Sequence, residues 1–175
     1  MRVLDLTSLV GAYAARLFAE QGHEVIRVES PAGDELRRLA PFVRNIEDLE
    51  HGAYHQFLNA GKKSVALDLT APADQEILLG MLRETDVMIA GDAVPIAQPR
   101  CFTANPTLVL TQIVEDAPEL CAVARSGLMS LTGHPDRAPV TLGGHVPQLA
   151  VGIYVAVAPA AAPLAGKSLG RGLVA

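Results

Sequence analysis

Short apolar runs alternate with stretches of helical periodicity along the first two thirds of the chain. One such stretch repeats apolar residues at helical spacing through Tyr13, Leu17 and Phe18, and a second, over Pro72–Arg83, has Thr70 as its predicted N-cap. Strands that alternate with helices predict an α/β fold with a mostly parallel sheet and helices on both faces. The predicted strands are Val3–Leu6, Val25–Val28, Ser64–Leu69, Val87–Ala90 and Leu108–Ile113.

The carboxyl ends of these strands are the expected place for a ligand. In open parallel sheets, ligands bind outside the carboxyl edge, where Asp5, Glu29, Asp68 and Gly91 are expected. The chain has neither a G-x-G-x-x-G run nor a P-loop. A nicotinamide or ATP site is therefore not supported.

The segment Val146–Gly166 carries no charged side chain and has the length of a membrane-spanning helix. Its apolar residues are mostly alanine and valine, and it contains Gln148 together with Pro147, Pro159 and Pro163. This composition favours a buried, proline-interrupted core helix over a membrane span.

Composition narrows the classes of partner and cofactor. A length of 175 residues, half of them apolar, predicts one domain over residues 1–175, and a net charge of -5 argues against a nucleic-acid partner. Cys101 and Cys121 form no Cys-x-x-Cys or Cys/His pattern, and no acidic partner completes a metal site at His51 and His55, so no metal site is expected. Because no secretory leader precedes the domain, the cytoplasm is the expected location.

Three segments carry a resemblance to a known family. They are D-L-T followed by A-A-R-L-F-A-E-Q-G-H-E-V-I-R-V-E-S-P-A-G-D-E-L-R (Asp5–Arg37), N-A-G-K-K-S-V-A-L-D-L (Asn59–Leu69) and S-G-L-M-S-L-T-G-H-P-D (Ser126–Asp136). Their order and spacing resemble the N-terminal portion of the family III CoA-transferases, which include carnitine and formyl CoA-transferases and methylacyl-CoA racemase.

The resemblance implies a Rossmann-like fold and coenzyme A or acyl-CoA as substrate, with no metal. The family's small domain and C-terminal part have no counterpart here. Apolar surface that they leave uncovered implies an oligomer, either a homodimer or a hetero-oligomer with a complete CoA-transferase-like chain.

The same resemblance assigns a nucleotide site. Lysines and arginines near strand ends suit phosphates, although from composition alone Lys62 and Lys63 fit solvated surface residues equally well. In the family, the strand after the lysine pair lines the CoA nucleotide and a later arginine contacts its phosphates. The implied CoA-binding residues are Lys62, Lys63, Leu67, Asp68, Leu69, Thr70 and Arg100.

Gln148 stands where the family has its catalytic aspartate, within T-L-G-G-H-V-P-Q-L-A-V-G-I-Y (Thr141–Tyr154). All 19 acidic residues lie at or before Asp136, so no small shift of the alignment supplies a carboxylate. A neutral amide is a poor nucleophile, although it can donate a hydrogen bond to a thioester carbonyl. The histidine of the racemases is also missing, since its position aligns with Ala124.

Three hypotheses follow. The chain is one subunit of a CoA-transferase-type enzyme whose partner supplies the carboxylate, or a non-catalytic scaffold or remnant that does not bind CoA. In the third hypothesis it is an enzyme with a different chemistry on acyl-CoA, in which Gln148 polarises the thioester carbonyl.

Overall fold

The architecture is a six-stranded, all-parallel sheet flanked by helices, seen in a computed structural model that describes residues 1–92, 94–114, 118–169 and 173–174, with side chains up to residue 162. Three short 3-10 turns complete it, at Glu35–Arg37, Val43–Asn45 and Leu128–Leu131. In chain order the elements are β1 (Arg2–Leu6), α1 (Leu9–Glu20), β2 (Glu24–Glu29), α2 (Ala53–Leu58), β3 (Lys63–Ala66), α3 (Pro72–Leu82), β4 (Val87–Gly91), α4 (Gln98–Ala104), β5 (Val109–Ile113), α5 (Glu119–Arg125), α6 (Val146–Leu169) and β6 (Leu173–Val174).

The strand order β3-β2-β1-β4-β5-β6 confirms the predicted α/β, Rossmann-like fold. β1 pairs with β2 through Asp5 and Arg27 and with β4 through Asp5 and Ile89. From β1, the chain adds β2 and β3 on one side of the sheet and then β4, β5 and β6 on the other side, so the order reverses between β1 and β4. A crevice is expected outside the carboxyl ends of the strands at this switch point.

Alternating residues of β1 face two separate helical layers. Val3 packs in a cluster with α1 and α6, whereas Leu4 and Leu6 pack in a cluster with α3 and α4. Asp5 has the same parity as Val3 and therefore lies on the α1 side of the sheet. A charged residue in a buried strand requires a compensating partner, which the site described below provides.

The third strand is shorter than its apolar pattern predicts. The β3 ladder ends at Ala66, and the next residues leave the sheet because the Asp68 carboxylate accepts hydrogen bonds from the backbone N–H and the hydroxyl of Thr70. Thr70 is not the N-cap of α3, so that prediction is wrong. Ala71 occupies the cap and Pro72 the first helical position, because the Thr70 hydroxyl is already bonded to Asp68.

The predicted form of the C-terminal apolar segment is wrong in two respects. α6 continues past Pro147 and Pro159 as one helix, and it is buried on one face only. Gly152 lies on the buried face, where a Cβ would come within 2.8 Å of the Val10 carbonyl oxygen, so α1 and α6 pack closely. Among the described residues, no helix combines the length and the hydropathy required to cross a membrane.

Candidate functional site

A cleft of about 580 Å³ opens at the carboxyl ends of the strands. We call it the strand-end cleft. It lies where the sequence predicts a ligand site, and it combines apolar walls with hydroxyl, carboxylate and guanidinium groups. Its lining consists of Leu6, Thr7, Ser8, Val10, Gly11, Arg27, Val28, Ser30, Glu35, Leu67, Asp68, Leu69, Thr70, Gly91, Asp92, Val94, Pro95 and Ile113.

One wall of the cleft is the turn between β1 and α1. The backbone N–H and the hydroxyl of Thr7 both donate to Asp5 Oδ1, at 3.1 and 2.5 Å. Gly11 packs against Thr7 so closely that a Cβ at position 11 would lie 2.3 Å from Thr7 Oγ1. α1 begins beside the cleft without an acidic residue in its first turn and without a side-chain cap from Ser8. The positive, N-terminal end of the α1 dipole therefore lies at this wall.

Next to this wall lies a group of six charged side chains that we call the Asp5 network, of which Arg27 also lines the cleft. Asp5 accepts from Arg27 Nη1 at 3.0 Å and from Lys62 Nζ at 2.8 Å, and Arg27 also pairs with Asp34. Three carboxylates and three cations balance in charge, and their side chains are no more than 13% exposed. The members are Asp5, Arg27, Glu29, Asp34, Arg37 and Lys62.

The network keeps the carboxylates of Asp5 and Glu29 ionised despite their burial. Burial by itself raises the pKa of Asp5, but Arg27 and Lys62 outweigh it and lower that pKa to about 2. The hydrogen bonds from Arg37 lower the pKa of Glu29 to about 2 in the same way, against the opposing effect of its burial. Asp5 and Glu29 thus stay ionised at neutral pH, whereas burial lowers the pKa of the Lys62 ammonium against the opposing effect of Asp5.

The residues that the resemblance assigns to the nucleotide have different positions in the structure. Leu67, Asp68, Leu69 and Thr70 all line the strand-end cleft. They follow the carboxyl end of β3, where the Asp68 turn directs the chain across the edge of the sheet. One continuous segment therefore forms the wall opposite the β1–α1 turn.

The two adjacent lysines have opposite environments, and neither lines the cleft. The Lys62 side chain is 1% exposed, and its ammonium donates to Asp5, to the Ala12 carbonyl and to Asn59 Oδ1 at 2.8–2.9 Å. All three of its N–H donors are used within the chain. Lys63, by contrast, is 71% exposed and pairs with Glu24.

Arg100 lies beside the cleft rather than in it. Its guanidinium donates to Gln75 Oε1 and Glu76 Oε1 at 2.9 and 2.8 Å. Gln75 in turn donates to the carbonyl of Leu69, a cleft residue, so one side chain separates Arg100 from the cleft wall. Because Arg100 is partly exposed, its guanidinium remains accessible from solvent.

Gln148 lies in the first turn of α6 and is not part of the cleft lining. Its Oε1 is buried without a hydrogen-bond partner among the described residues. The neighbouring Leu149 packs against a small cluster around Ala12 and Leu58, which places this turn of α6 behind α1. Gln148, which the resemblance aligns with the family nucleophile, therefore lies outside the cleft lining.

The histidines have local partners. His51 precedes α2 and bonds to Asp48 at 2.8 Å, and the His55 ring bonds to the Asn59 amide. Within the described part of the chain, no cluster of three or more metal-ligating side chains occurs. Ala124, at the position of the racemase histidine, lies on α5 and is exposed.

Two parts of the strand-end cleft, the β1–α1 turn and the segment after β4, were not predicted from the sequence. Thr7, Ser8 and Gly11 form one wall, and Val94 and Pro95 form part of another. The available signal for the first wall was Asp5-Leu6-Thr7, a buried acid two residues before a hydroxyl at the end of a strand. An Asp at that spacing bonds to the backbone and the side chain of the following residues.

Comparison with known proteins identifies the group to which this fold and cleft belong. The family model described as CoA-transferase family III matches residues 1–175. The chain belongs to CoA-transferase family III. The Asn59–Leu69 and Ser126–Asp136 segments that predicted this family therefore gave the correct assignment.

Individual family III relatives match nearly all of this chain. Succinyl-CoA:mesaconate CoA-transferase of Haloarcula hispanica is 33% identical over 90% of this chain and 46% of the relative. Succinyl-CoA:(R)-benzylsuccinate CoA-transferase subunit BbsE of Thauera aromatica is 29% identical over 98% of this chain and 46% of the relative. The crystal structure of a CAIB/BAIF family protein from Brucella suis superposes with a TM-score of 0.86 and 26% identity, covering 99% of this chain and 50% of the other. The chain thus spans about half the length of the curated relatives it matches.

Proposed function

We propose that this family III chain binds coenzyme A or acyl-CoA in the strand-end cleft and works as one subunit of a CoA-transferase-type enzyme. The observation that carries the proposal is the coincidence of two independent assignments. Leu67, Asp68, Leu69 and Thr70 are the residues that the family resemblance assigns to the nucleotide, and all four line the cleft at the switch point of the sheet.

An exposed guanidinium binds the phosphates of CoA in this proposal. Arg100, beside the Leu69 wall, contributes this planar group, which suits a phosphate. Lys63 has no part in it, because it begins β3 at the amino ends of the strands and pairs there with Glu24. Lys62 has a supporting part, because its three donors are already bonded to Asp5, Ala12 and Asn59.

The carboxylate for the transfer reaction comes from a second chain in this proposal. Transfer of CoA in the family begins when an aspartate oxygen attacks the thioester carbon, the C–S bond breaks and the CoA thiolate leaves behind a mixed anhydride. Gln148 has no carboxylate, and its side chain is outside the cleft lining. A complete family member that associates with this chain supplies the nucleophile, and the chain contributes nucleotide binding and assembly.

Two observations support the need for a partner. The outer face of α6 carries large apolar side chains that the described part of this chain does not cover, among them Ile153, Tyr154 and Val157. In addition, the Thauera relative that matches 98% of this chain is itself named as a subunit.

Calorimetric titration with CoA tests the proposal, with two glycine variants as a matched pair. Gly91 lines the cleft, and a Cβ there meets nothing within 4 Å, so Gly91→Leu extends a side chain beside the ligand space without a clash. Gly80→Leu makes the same change in equally open space on the exposed surface of α3. We expect CoA binding by the wild type and by Gly80→Leu, and a loss of at least about tenfold in affinity with Gly91→Leu.

A folded wild-type chain that gives no heat with CoA would contradict the proposal and favour the scaffold hypothesis. Binding that is equal in the two variants would place CoA elsewhere on the chain. Turnover of acyl-CoA by the isolated chain that is lost in Gln148→Ala would instead favour the different-chemistry hypothesis, since the proposal expects binding without transfer.

A further inference from the structure

We propose that Asp5 and Thr7 form a positioning pair that holds the β1–α1 turn in the conformation that makes it a wall of the strand-end cleft. Neither residue is assigned a contact with the reacting atoms. The inference rests on the proposed function only for its effect on CoA binding, since its effect on the turn is independent of any ligand.

The first observation is that a single carboxylate holds both ends of the turn. Asp5 Oδ1 accepts directly from the backbone and the hydroxyl of Thr7, where the turn begins. Asp5 Oδ2 accepts from Lys62, and the same ammonium donates to the carbonyl of Ala12, one helical turn into α1. The segment between these points contains Ser8, Val10 and Gly11, which line the cleft.

The second observation is that Asp5 itself has little freedom to move. It is fully buried near the carboxyl end of β1, paired with Arg27 at 3.0 Å and with Lys62 at 2.8 Å. Hydrogen bonds to an ionised acceptor are the stronger ones, and burial away from water strengthens them further. Thr7 is therefore bonded to a fixed point of the sheet.

The third observation is the packing of Gly11 against the Thr7 side chain. The Thr7 side chain fills the space next to Gly11, where a Cβ would lie 2.3 Å from the hydroxyl oxygen that bonds to Asp5 and 2.5 Å from the Thr7 methyl and Cβ. The rotamer of Thr7 and the start of α1 therefore fix each other. A wall ordered before the ligand arrives avoids the entropy cost of ordering it during binding.

The test compares Thr7→Val, which keeps the shape and removes the hydroxyl, with Thr7→Ser, which keeps the hydroxyl. Thr85→Val is the matched control. Thr85 is also buried, lies just after the C-terminal end of α3 and is not part of the cleft lining, and its hydroxyl donates to the Met81 carbonyl. Hydrogen exchange of the ligand-free protein is followed at Thr7, at Ala12 and along the next turn of α1. CoA affinity is measured by calorimetry on the same samples.

We expect Thr7→Val to accelerate exchange at Thr7 and Ala12 about tenfold over Thr85→Val and to weaken CoA binding by a similar factor, with Thr7→Ser close to wild type. Unchanged exchange in Thr7→Val overturns the inference. Weaker CoA binding with unchanged exchange also overturns it, because that result assigns Thr7 a direct ligand contact. If the wild type does not bind CoA, the proposed function fails, and the exchange rates still decide whether the pair holds the turn.

Discussion

The Asp5 network and the outer face of α6 differ in which side chains they bury and which they expose. The first buries charged side chains that a soluble protein normally exposes, and the second exposes apolar side chains that it normally buries. Lys62 is 1% exposed, whereas Tyr154 is 77% exposed. Each charge of the network has its partner within the chain, but the α6 face has none in the described part of it.

The charged network has all its contacts within this chain, whereas the apolar face of α6 needs another molecule to cover it in the proposal above. The network and the cleft wall that it supports come from β1, β2 and the segment before β3, all within residues 1–66. The α6 face lies beyond Asp136, the last acidic residue of the chain, and its stripe of Val146, Ile153 and Val157 repeats at helical spacing. In the proposal above, the first region binds the ligand and the second contacts another chain.

The largest expected effect comes from breaking the network at Lys62. Lys62→Met removes three hydrogen bonds and leaves the buried Asp5 carboxylate with Arg27 as its remaining ion-pair partner. We expect the free energy of unfolding in urea to fall by about 3–5 kcal/mol. Lys63→Met removes an exposed ion pair with Glu24 and should cost less than about 1 kcal/mol. Equal losses in the two variants would contradict the distinction drawn between these lysines.

The second prediction concerns the α6 face. Ile153 and Ile77 are 49% and 51% exposed, but Ile153 belongs to the apolar stripe and Ile77 stands on α3. We expect Ile153→Glu to weaken association of the chain by about thirtyfold in sedimentation experiments, since it buries a charge in the contact. Ile77→Glu should leave association unchanged. A wild-type chain that is monomeric at all concentrations, alone and with a complete family III protein, would refute the docking role of this face.

The third prediction concerns acid. The pKa of Asp5 is lowered from 3.8 to about 2 in the folded chain, so the folded state binds fewer protons than the unfolded state in this range. The ionised Asp5 carboxylate contributes its full stabilisation of the folded state at pH values above its unfolded pKa. This contribution, about 2 kcal/mol of the free energy of unfolding, is lost as the pH falls through the folded pKa. Glu29, lowered from 4.5 to about 2, adds to the same trend.

Urea unfolding curves between about pH 5 and about pH 2 measure most of this loss, because the range runs from above the unfolded pKa values down to the folded ones. Because Asp and Glu are absent after Asp136, the α6 face contributes no carboxylate to the titration. Stability that does not change with pH over this range would show that the Asp5 network does not stabilise the ionised carboxylates.

The smallest expected effect is at Gln148. Its Oε1 is buried without a hydrogen-bond partner among the described residues, which costs free energy in the folded state. Gln148→Met keeps the length of the side chain and removes this cost, so we expect a gain of about 1 kcal/mol in the free energy of unfolding, with CoA affinity unchanged. A destabilised variant would indicate that Oε1 is bonded in solution.

The sequence predicted the sheet because strong local patterns agreed with the tertiary fold. The apolar runs at Val25–Val28 and Val87–Ala90 lie within β2 and β4, since buried parallel strands are apolar on both faces. The end of β3 was missed because Leu67 and Leu69 continue the apolar pattern, while the Asp68 turn that removes them from the sheet depends on hydrogen bonds. The face of α6 that remains exposed was missed because an uncharged segment of alanine and valine does not reveal which side lacks a partner.

The candidate site was predicted in part, for the same physical reason. Leu67–Thr70 could be found because a continuous segment follows the end of a strand. The contrast between Lys62 and Lys63 could not be found, because Lys62 precedes β3 and Lys63 begins it, and only the position of Asp5 in the fold decides which lysine is buried. Thr7 and Gly11 depend on a contact across the start of α1 that spacing alone does not specify.

Hydrogen exchange of the wild-type chain with and without CoA tests the central claim, that the nucleotide occupies the strand-end cleft, most directly. We expect CoA to slow hydrogen exchange in the β1–α1 turn, in Leu67–Thr70 and after Gly91, and to leave the exchange rates on the outer face of α6 unchanged. Protection confined to α6, or no protection anywhere under conditions where the chain is folded, would contradict it.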